Sequence, residues 1–123
     1  MSIFKASVTI DSVGTSYTGN TAITVPARGY VLAVTAVKNS GTGATLGACV
    51  SEVSGSTAAN DLVFEKSVAT PPWRGAASSG WGNAYLVEPD DASNRLGKLY
   101  VSGIANTGSD TNMTINVFIE DMT

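Results

Sequence analysis

The chain has 123 residues, of which 43% are hydrophobic and only 14% are charged, and its net charge at neutral pH is −3. This length suits one domain spanning residues 1–123, and the scattered basic side chains argue against nucleic-acid binding. The sequence contains no histidine, the commonest general base and metal ligand, so we expect no enzyme, no catalytic residue, no metal site and no cofactor. It also contains no apolar run long enough to span a membrane, so we expect no membrane partner.

Alternating or continuous apolar residues predict four strands in the first half of the chain. They cover residues 3–10, 21–27, 30–39 and 43–53. The first strand places four side chains on one face: Phe4, Ala6, Val8 and Ile10. Pro26 should end the second strand or place it at a sheet edge, because proline cannot donate a ladder hydrogen bond. The third strand is nearly all apolar or β-branched, which predicts a central strand buried on both faces.

Four more strands are predicted in the second half of the chain. They cover residues 61–70, 83–89, 98–106 and 111–121. Gly103 lies inside the third of these and indicates a bulge or a close approach of another group. The segment ANTGSDTNM, with Gly108, is typical of a hairpin turn between the last two strands. The last strand places Met113, Ile115, Val117 and Ile119 on one face. Strands at this spacing predict an all-β fold, a single antiparallel β-sandwich of about eight strands.

Two short segments of the first half have a structural and a chemical interpretation. GTGATLG, residues 41–47, superficially resembles a phosphate-binding loop, but its spacing is neither that of the dinucleotide fingerprint nor that of the Walker motif, and the segment favours a turn. Cys49 is the one cysteine and cannot form an internal disulfide, so we expect a buried small hydrophobe. The start of the chain lacks the pattern of a signal peptide. These features favour assembly in a reducing cytoplasm.

Both tryptophans lie in one stretch, TPPWRGAASSGWGN, residues 70–83. Its glycines, prolines and small residues predict a loop. Large aromatic rings in a loop either fill the protein's own core or contact a partner, and Trp and Arg are enriched in interface hot spots. The residues predicted to bind a partner are Trp73, Arg74, Trp81 and Tyr85. We expect Trp81 to lie inside and Trp73, with Arg74, to face a neighbouring chain. Removal of the Trp73 ring should then weaken attachment without unfolding the domain.

An acidic segment, VEPDDASN, follows the tryptophan stretch. Asp90 and Asp91, with nearby Glu, Ser and Asn side chains, could supply oxygens to calcium, which binds six to eight of them. Asp, Asn and Ser after a proline are also ordinary turn-forming residues, and this interpretation is favoured.

The low charge has a counterpart in a high content of hydroxyl side chains. Serine and threonine make up roughly a quarter of the chain, more than in an average protein. A surface covered by hydroxyls loses less free energy on desolvation than a charged one, and interface cores are depleted in Lys, Glu and Asp. This composition favours a protein that assembles with others over an ordinary Ser/Thr-rich β domain.

The ending GKLYVSGIANTGSDTNMTINVFIED combines a strand, a loop of small polar residues and a final alternating strand. In this it resembles the small virion structural proteins of tailed bacteriophages, of the capsid decoration (cement) type. The resemblance implies a jelly-roll-like sandwich, a homo-oligomer such as a trimer, and attachment to a larger viral shell or tail protein. It also implies a place in the virion after assembly in the host cytoplasm.

A second function is left open by the same sequence. The chain would then be a carbohydrate- or receptor-binding module of a phage fibre or spike. Its site would consist of Trp73, Trp81 and Tyr85 with the acidic loop. Exposed aromatic rings in a shared plane would be needed for such a site, because sugars stack on them.

Overall fold

A computed structural model describes residues 2–25, 28–58, 61–76, 85–87 and 97–121, and nine strands lie within these ranges. In chain order they are β1 (Ser2–Val13), β2 (Thr18–Thr24), β3 (Gly29–Ser40), β4 (Leu46–Ser51), β5 (Leu62–Ala69), β6 (Trp73–Ala76), β7 (Tyr85–Val87), β8 (Lys98–Ala105) and β9 (Thr111–Asp121). The predicted all-β fold is confirmed. No helix within these ranges is long and apolar enough to cross a membrane.

The strands form two antiparallel sheets that pack as a β-sandwich. One sheet has the order β1-β9-β3-β6, with β7 also paired to β3, and the other has the order β2-β8-β4-β5. The pairs are nested along the chain, because β1 pairs with β9, β2 with β8, β3 with β6 and β7, and β4 with β5. Both ends of the described chain therefore lie side by side in the first sheet.

The core lies between the two sheets and follows the alternation of β8 and β9. Every second residue of both strands is buried, as predicted for β9, and Leu99 and Ile115 are fully buried. Burial of such a side chain contributes about 1.5–3 kcal/mol. Gly103 is required where the two sheets come close, since a Cβ there would lie 2.5 Å from Met113 Sδ. The predicted close approach at Gly103 is confirmed.

The predicted hairpin between the last two strands is wrong. β8 and β9 belong to different sheets, so residues 106–110 form an arch that crosses the sandwich. The reason is that both strands bury their alternate residues in the same core and face one another instead of pairing edge to edge. Alternation identifies the buried face of a strand but does not identify the strand that pairs with it.

Two predictions concern strand position. β2 ends at Thr24 and lies at a sheet edge, as expected from Pro26. β3 is central, as predicted, but its burial on both faces is wrong. Val34 and Ala36 are fully buried, whereas Thr35 between them is only half-buried because it lies on the outer face of the sheet.

Two arches meet at one end of the sandwich and are joined by side-chain hydrogen bonds. The Asp110 carboxylate accepts hydrogen bonds from the Thr42 hydroxyl at 2.6 Å and from the Thr42 backbone N–H at 3.2 Å. The Asn106 side-chain oxygen accepts from the N–H groups of Ala44 and Thr45. GTGATLG therefore runs from a structural turn into β4, and the turn interpretation holds.

Candidate interaction surface

Trp73 lies at the start of β6, so the prediction of a loop is wrong for residues 73–76 of the stretch. Residues 77–83 lie outside the described ranges. It pairs with Ala36 of β3, a buried residue, so its side chain is directed toward the core. Its indole Nε1–H donates a hydrogen bond of 2.8 Å to the Leu46 carbonyl oxygen of the other sheet. Its ring stacks on Phe64, with 6.1 Å between ring centroids and 25° between ring planes.

The Trp73 ring closes the side of the sandwich where the edge strands β5 and β6 meet. The Lys66 ammonium group lies 5.5 Å from the ring centroid, on its face. Gly75 leaves room for Phe64, since a Cβ on this glycine would lie 2.7 Å from the Phe64 Cε2 atom. The indole N–H and one face of the ring thus contact other residues of the same domain. The ring is packed inward, and only part of it can contact a partner.

The other predicted partner-binding residues have different positions. Arg74 is exposed and lies opposite Thr35, on the outer face of the first sheet. Tyr85 begins β7 and pairs with Val31 of β3. Trp81 lies outside the described residues, and so does the loop of Asp90 and Asp91. The roles predicted for Arg74, Tyr85, Trp81 and the acidic loop stay predictions. Within the described ranges, no three side chains of the kinds that bind metals come together.

The outer face of the first sheet carries a set of hydrogen-bonded polar side chains, here named the amide–hydroxyl face. Its members are Ser7, Thr9, Thr35, Asn39, Asn112, Thr114 and Asn116. One row crosses the sheet from β1 to β3. The Ser7 hydroxyl donates to Asn116 Oδ1 at 2.6 Å, and Asn116 Nδ2 donates to Thr35 Oγ1 at 3.0 Å. Arg74 extends this row at the β6 edge, opposite Thr35.

A second group of hydrogen bonds lies beside this row and uses neighbouring residues of the same strands. The hydroxyl oxygens of Thr9 and Thr114 are 3.1 Å apart. Asn39 Nδ2 donates to Thr114 Oγ1 at 2.9 Å and to Asn112 Oδ1 at 2.7 Å. All members of the face are uncharged, and charged side chains lie around it, at Lys5, Asp11 and Arg74.

The hydrogen bonds give this face two properties that suit contact with another macromolecule. Their side chains are held in fixed positions before any partner binds, so less rotamer entropy is lost on association. They carry no net charge, so their desolvation is less costly than that of ionised groups. The absence of charged side chains at its centre is a feature that the face shares with the cores of protein–protein interfaces.

The outer side of the second sheet carries a cluster of a different kind. The Tyr17 hydroxyl donates a 3.0 Å hydrogen bond to Glu65 Oε2. Burial, and then the neighbouring Glu65, raise the pKa of Cys49 to about 11. The same two influences, burial first, raise the pKa of Tyr17 above its ordinary value. Cys49 is buried, as predicted, and its thiol stays protonated at neutral pH.

Large exposed apolar side chains among the described residues lie on edge strands. Ile3 and Phe4 of β1 are 57% and 37% exposed, and Val68 of β5 is 40% exposed. β1 and β5 are edge strands of opposite sheets. Ile3 and Phe4 are consecutive in β1, so their side chains lie on opposite faces of the sheet at the same edge.

No protein-family model matches the chain, and no curated protein and no solved structure matches it. Its function is therefore inferred from its fold and surface chemistry.

Proposed function

We propose that the chain is a non-enzymatic structural protein of a virus particle, which binds its own copies and a larger capsid or tail protein and stabilises the particle. The observation that carries the proposal is the amide–hydroxyl face, an ordered and uncharged surface across three strands of one sheet. Arg74 borders this face and would contact the partner at its rim. The sequence predicted that Trp73 would contact the partner. We propose instead that the amide–hydroxyl face makes this contact.

The strand order supports this proposal. If β6 and β7 are counted as one interrupted strand, the sheets have the orders 1-8-3-6 and 2-7-4-5. These are the orders that arise when a long antiparallel hairpin is rolled into a sandwich, so they support the proposal of a jelly roll. Jelly rolls occur in viral capsid proteins, although they also occur in lectins and enzymes. The fold therefore supports a structural role without deciding it.

Repetition would strengthen a modest contact of this kind. Apolar burial contributes about 25 cal/mol per Å², but association costs consume much of that gain, so one small face binds weakly by itself. When copies are joined in a homo-oligomer, one assembly binds several sites of a regular shell at once, and this raises its effective affinity by roughly 100-fold to 10,000-fold. Under these conditions, a face built from hydroxyl and amide groups provides enough affinity for attachment to a particle.

The test places a charge at the centre of the amide–hydroxyl face. Thr114→Lys should lower attachment to capsids or tails purified from the source of the gene by about 100-fold or more, because an unpaired ammonium would be buried in the contact. Thr114→Ser keeps the hydroxyl and should attach normally. Ser67→Lys adds the same charge at an exposed site of β5, away from the face, and should also attach normally. Normal attachment of a folded Thr114→Lys variant would contradict the proposal.

Carbohydrate binding is the second candidate, and the amide–hydroxyl face offers groups that can bond sugar hydroxyls. Two observations weaken it. The face's amides and hydroxyls already bond one another, and Trp73 Nε1–H is used by Leu46. A saturable change in tryptophan fluorescence on addition of glycans would favour this candidate. No change, together with attachment to particles, would favour the structural role.

A further inference from the structure

β1 has one paired edge and one edge that faces no strand among the described residues. Its inner neighbour is β9, paired from Ser2 to Val13 with an irregularity between Ile10 and Val13. The strand contains no proline and only one positive charge in its regular part, at Lys5. Exposed edges of this kind can pair with another strand, and proteins usually block them with charges, bulges or proline. The start of β1 has instead the exposed pair Ile3 and Phe4.

We propose that two copies of this chain pair through β1, antiparallel and about a two-fold axis at Ser7, so that their first sheets join into one continuous sheet. The proposal deepens the proposed function, on which it rests, by naming a second copy as a partner and β1 as the contact. An antiparallel pair of identical strands closes by two-fold symmetry, which yields a dimer and not an open fibre. It also satisfies backbone groups at the free edge.

The register follows from the charges and from the irregular end of β1. A pair centred at Ala6 places Lys5 diagonal to the partner's Lys5, which is unfavourable. A pair centred at Val8 brings Ser12 into the ladder, although its φ of 56° and the adjacent irregularity interrupt a regular strand. The pair centred at Ser7 avoids the Lys5–Lys5 contact and meets Ser12 only at the end of the ladder, opposite the partner's Ser2. It also places Lys5 diagonal to the partner's Asp11, within reach of a long side chain.

The same register gives an apolar row on the inner face of the joined sheet and a mainly polar row on its outer face. On the inner face, Phe4 lies opposite the partner's Ile10, and Ala6 lies opposite the partner's Val8, so the pairs between residues 4 and 10 are apolar. On the outer face, Ser7 lies opposite the partner's Ser7, and Lys5 opposite the partner's Thr9. The exposed part of Phe4 is covered in this arrangement. The two amide–hydroxyl faces become parts of one larger surface, because Ser7 and Thr9 belong to both features.

A disulfide crosslink tests the register. In the full chain, Ser7→Cys places two thiols across the axis, with about 4.5–5.5 Å between Cα atoms, a separation that a disulfide spans. Mild oxidation should then convert most of this variant into a covalent dimer. In Thr9→Cys the two thiols are about 14 Å apart along the strands, so this matched variant should stay uncrosslinked. Cys49 is buried and should not compete. Equal crosslinking of both variants, or of neither, would overturn the proposal.

Opposite charges at one position provide a second test that does not depend on oxidation. Thr9 lies opposite the partner's Lys5, so Thr9→Glu should tighten the dimer and Thr9→Lys should weaken it, each by roughly fivefold. Both variants lose the same contact with Thr114, so the difference between their dissociation constants reports the effect of the charge alone. Analytical ultracentrifugation measures the dissociation constants. Equal constants for the two variants would refute the pairing.

Failure of this inference can be told from failure of the proposed function. If Ser7→Cys does not crosslink but the wild-type chain attaches to particles through the amide–hydroxyl face, the β1 pairing is wrong and the structural role stands. If the crosslinked dimer forms and no particle binds the chain, the β1 pairing is right and the structural role is wrong.

Discussion

Replacement of Trp73 tests whether its ring supports the domain itself. The ring packs against Phe64 and Lys66 and is only partly exposed, so Trp73→Ala removes packing, a stacked pair and a cation–π contact. Truncation of a fully buried Trp costs about 3–5 kcal/mol, and we expect about 2–4 kcal/mol for this partly buried one. Trp73→Phe keeps most of the packing but leaves the Leu46 carbonyl without its donor, which costs about 1–2 kcal/mol.

Urea unfolding followed by far-ultraviolet circular dichroism measures these free energies of unfolding without relying on tryptophan fluorescence. Small domains are stable by only about 5–15 kcal/mol, so the Trp73→Ala transition should shift clearly. Arg74→Ala, next to it but exposed, is the control and should change stability by less than about 0.5 kcal/mol. A Trp73→Ala variant as stable as the wild type would show that the ring does not close the sandwich, and would restore the sequence-based expectation that it serves attachment alone.

Three further predictions concern the core, the arches and the thiol. Gly103→Ala would force a methyl group against Met113 Sδ, and we expect a loss of about 1–3 kcal/mol in thermal unfolding, partly relieved by a second change, Met113→Ala. Hydrogen bonds from Thr42 hold the pKa of Asp110 below its ordinary value, so this carboxylate adds stability above about pH 4 that is lost as the pH falls through its lowered pKa. Asp110→Asn should remove that part of the pH dependence in acid unfolding, and unchanged acid sensitivity would contradict it. The Cys49 thiol should react with iodoacetamide at pH 8 about 100-fold more slowly in the folded than in the unfolded chain, since burial raises its pKa to about 11. Equal rates would show that the thiol is accessible.

The amino-acid sequence was sufficient to predict the fold class and the buried face of several strands. Residues of β9 alternate without interruption, so the alternation alone assigns Met113 and Ile115 to the core. The end of β2 at Thr24 and its edge position could be expected from the proline that follows in the sequence, because proline lacks the N–H that a ladder needs. These are local properties of a residue or of its near neighbours.

Features that depend on long-range pairing could not be predicted. The arch at residues 106–110 resembles a hairpin turn, and only the pairing of β8 with β4 and of β9 with β3 shows otherwise. Trp73 pairs with Ala36 and bonds Leu46, both distant in sequence, so nothing local indicated that its ring turns inward.

The amide–hydroxyl face shows the same limit. The outward positions of β9, such as Asn112 and Thr114, can be read from its alternation. Their hydrogen-bond partners cannot be read from the alternation, because the hydrogen bond from Asn116 to Thr35 depends on the register of β9 against β3. The excess of serine and threonine predicted a surface rich in hydroxyl groups, but it did not indicate on which sheet that surface lies.

The most direct test of the structural role is a saturation measurement of the purified chain on particles. Capsids and tails from the source of the gene, stripped of the chain, are incubated with increasing amounts of wild-type protein and collected by sedimentation. We predict saturation at a fixed number of copies per particle, with the Thr114→Lys variant remaining in the supernatant. A wild-type chain that stays monomeric and unbound at every concentration would contradict the account.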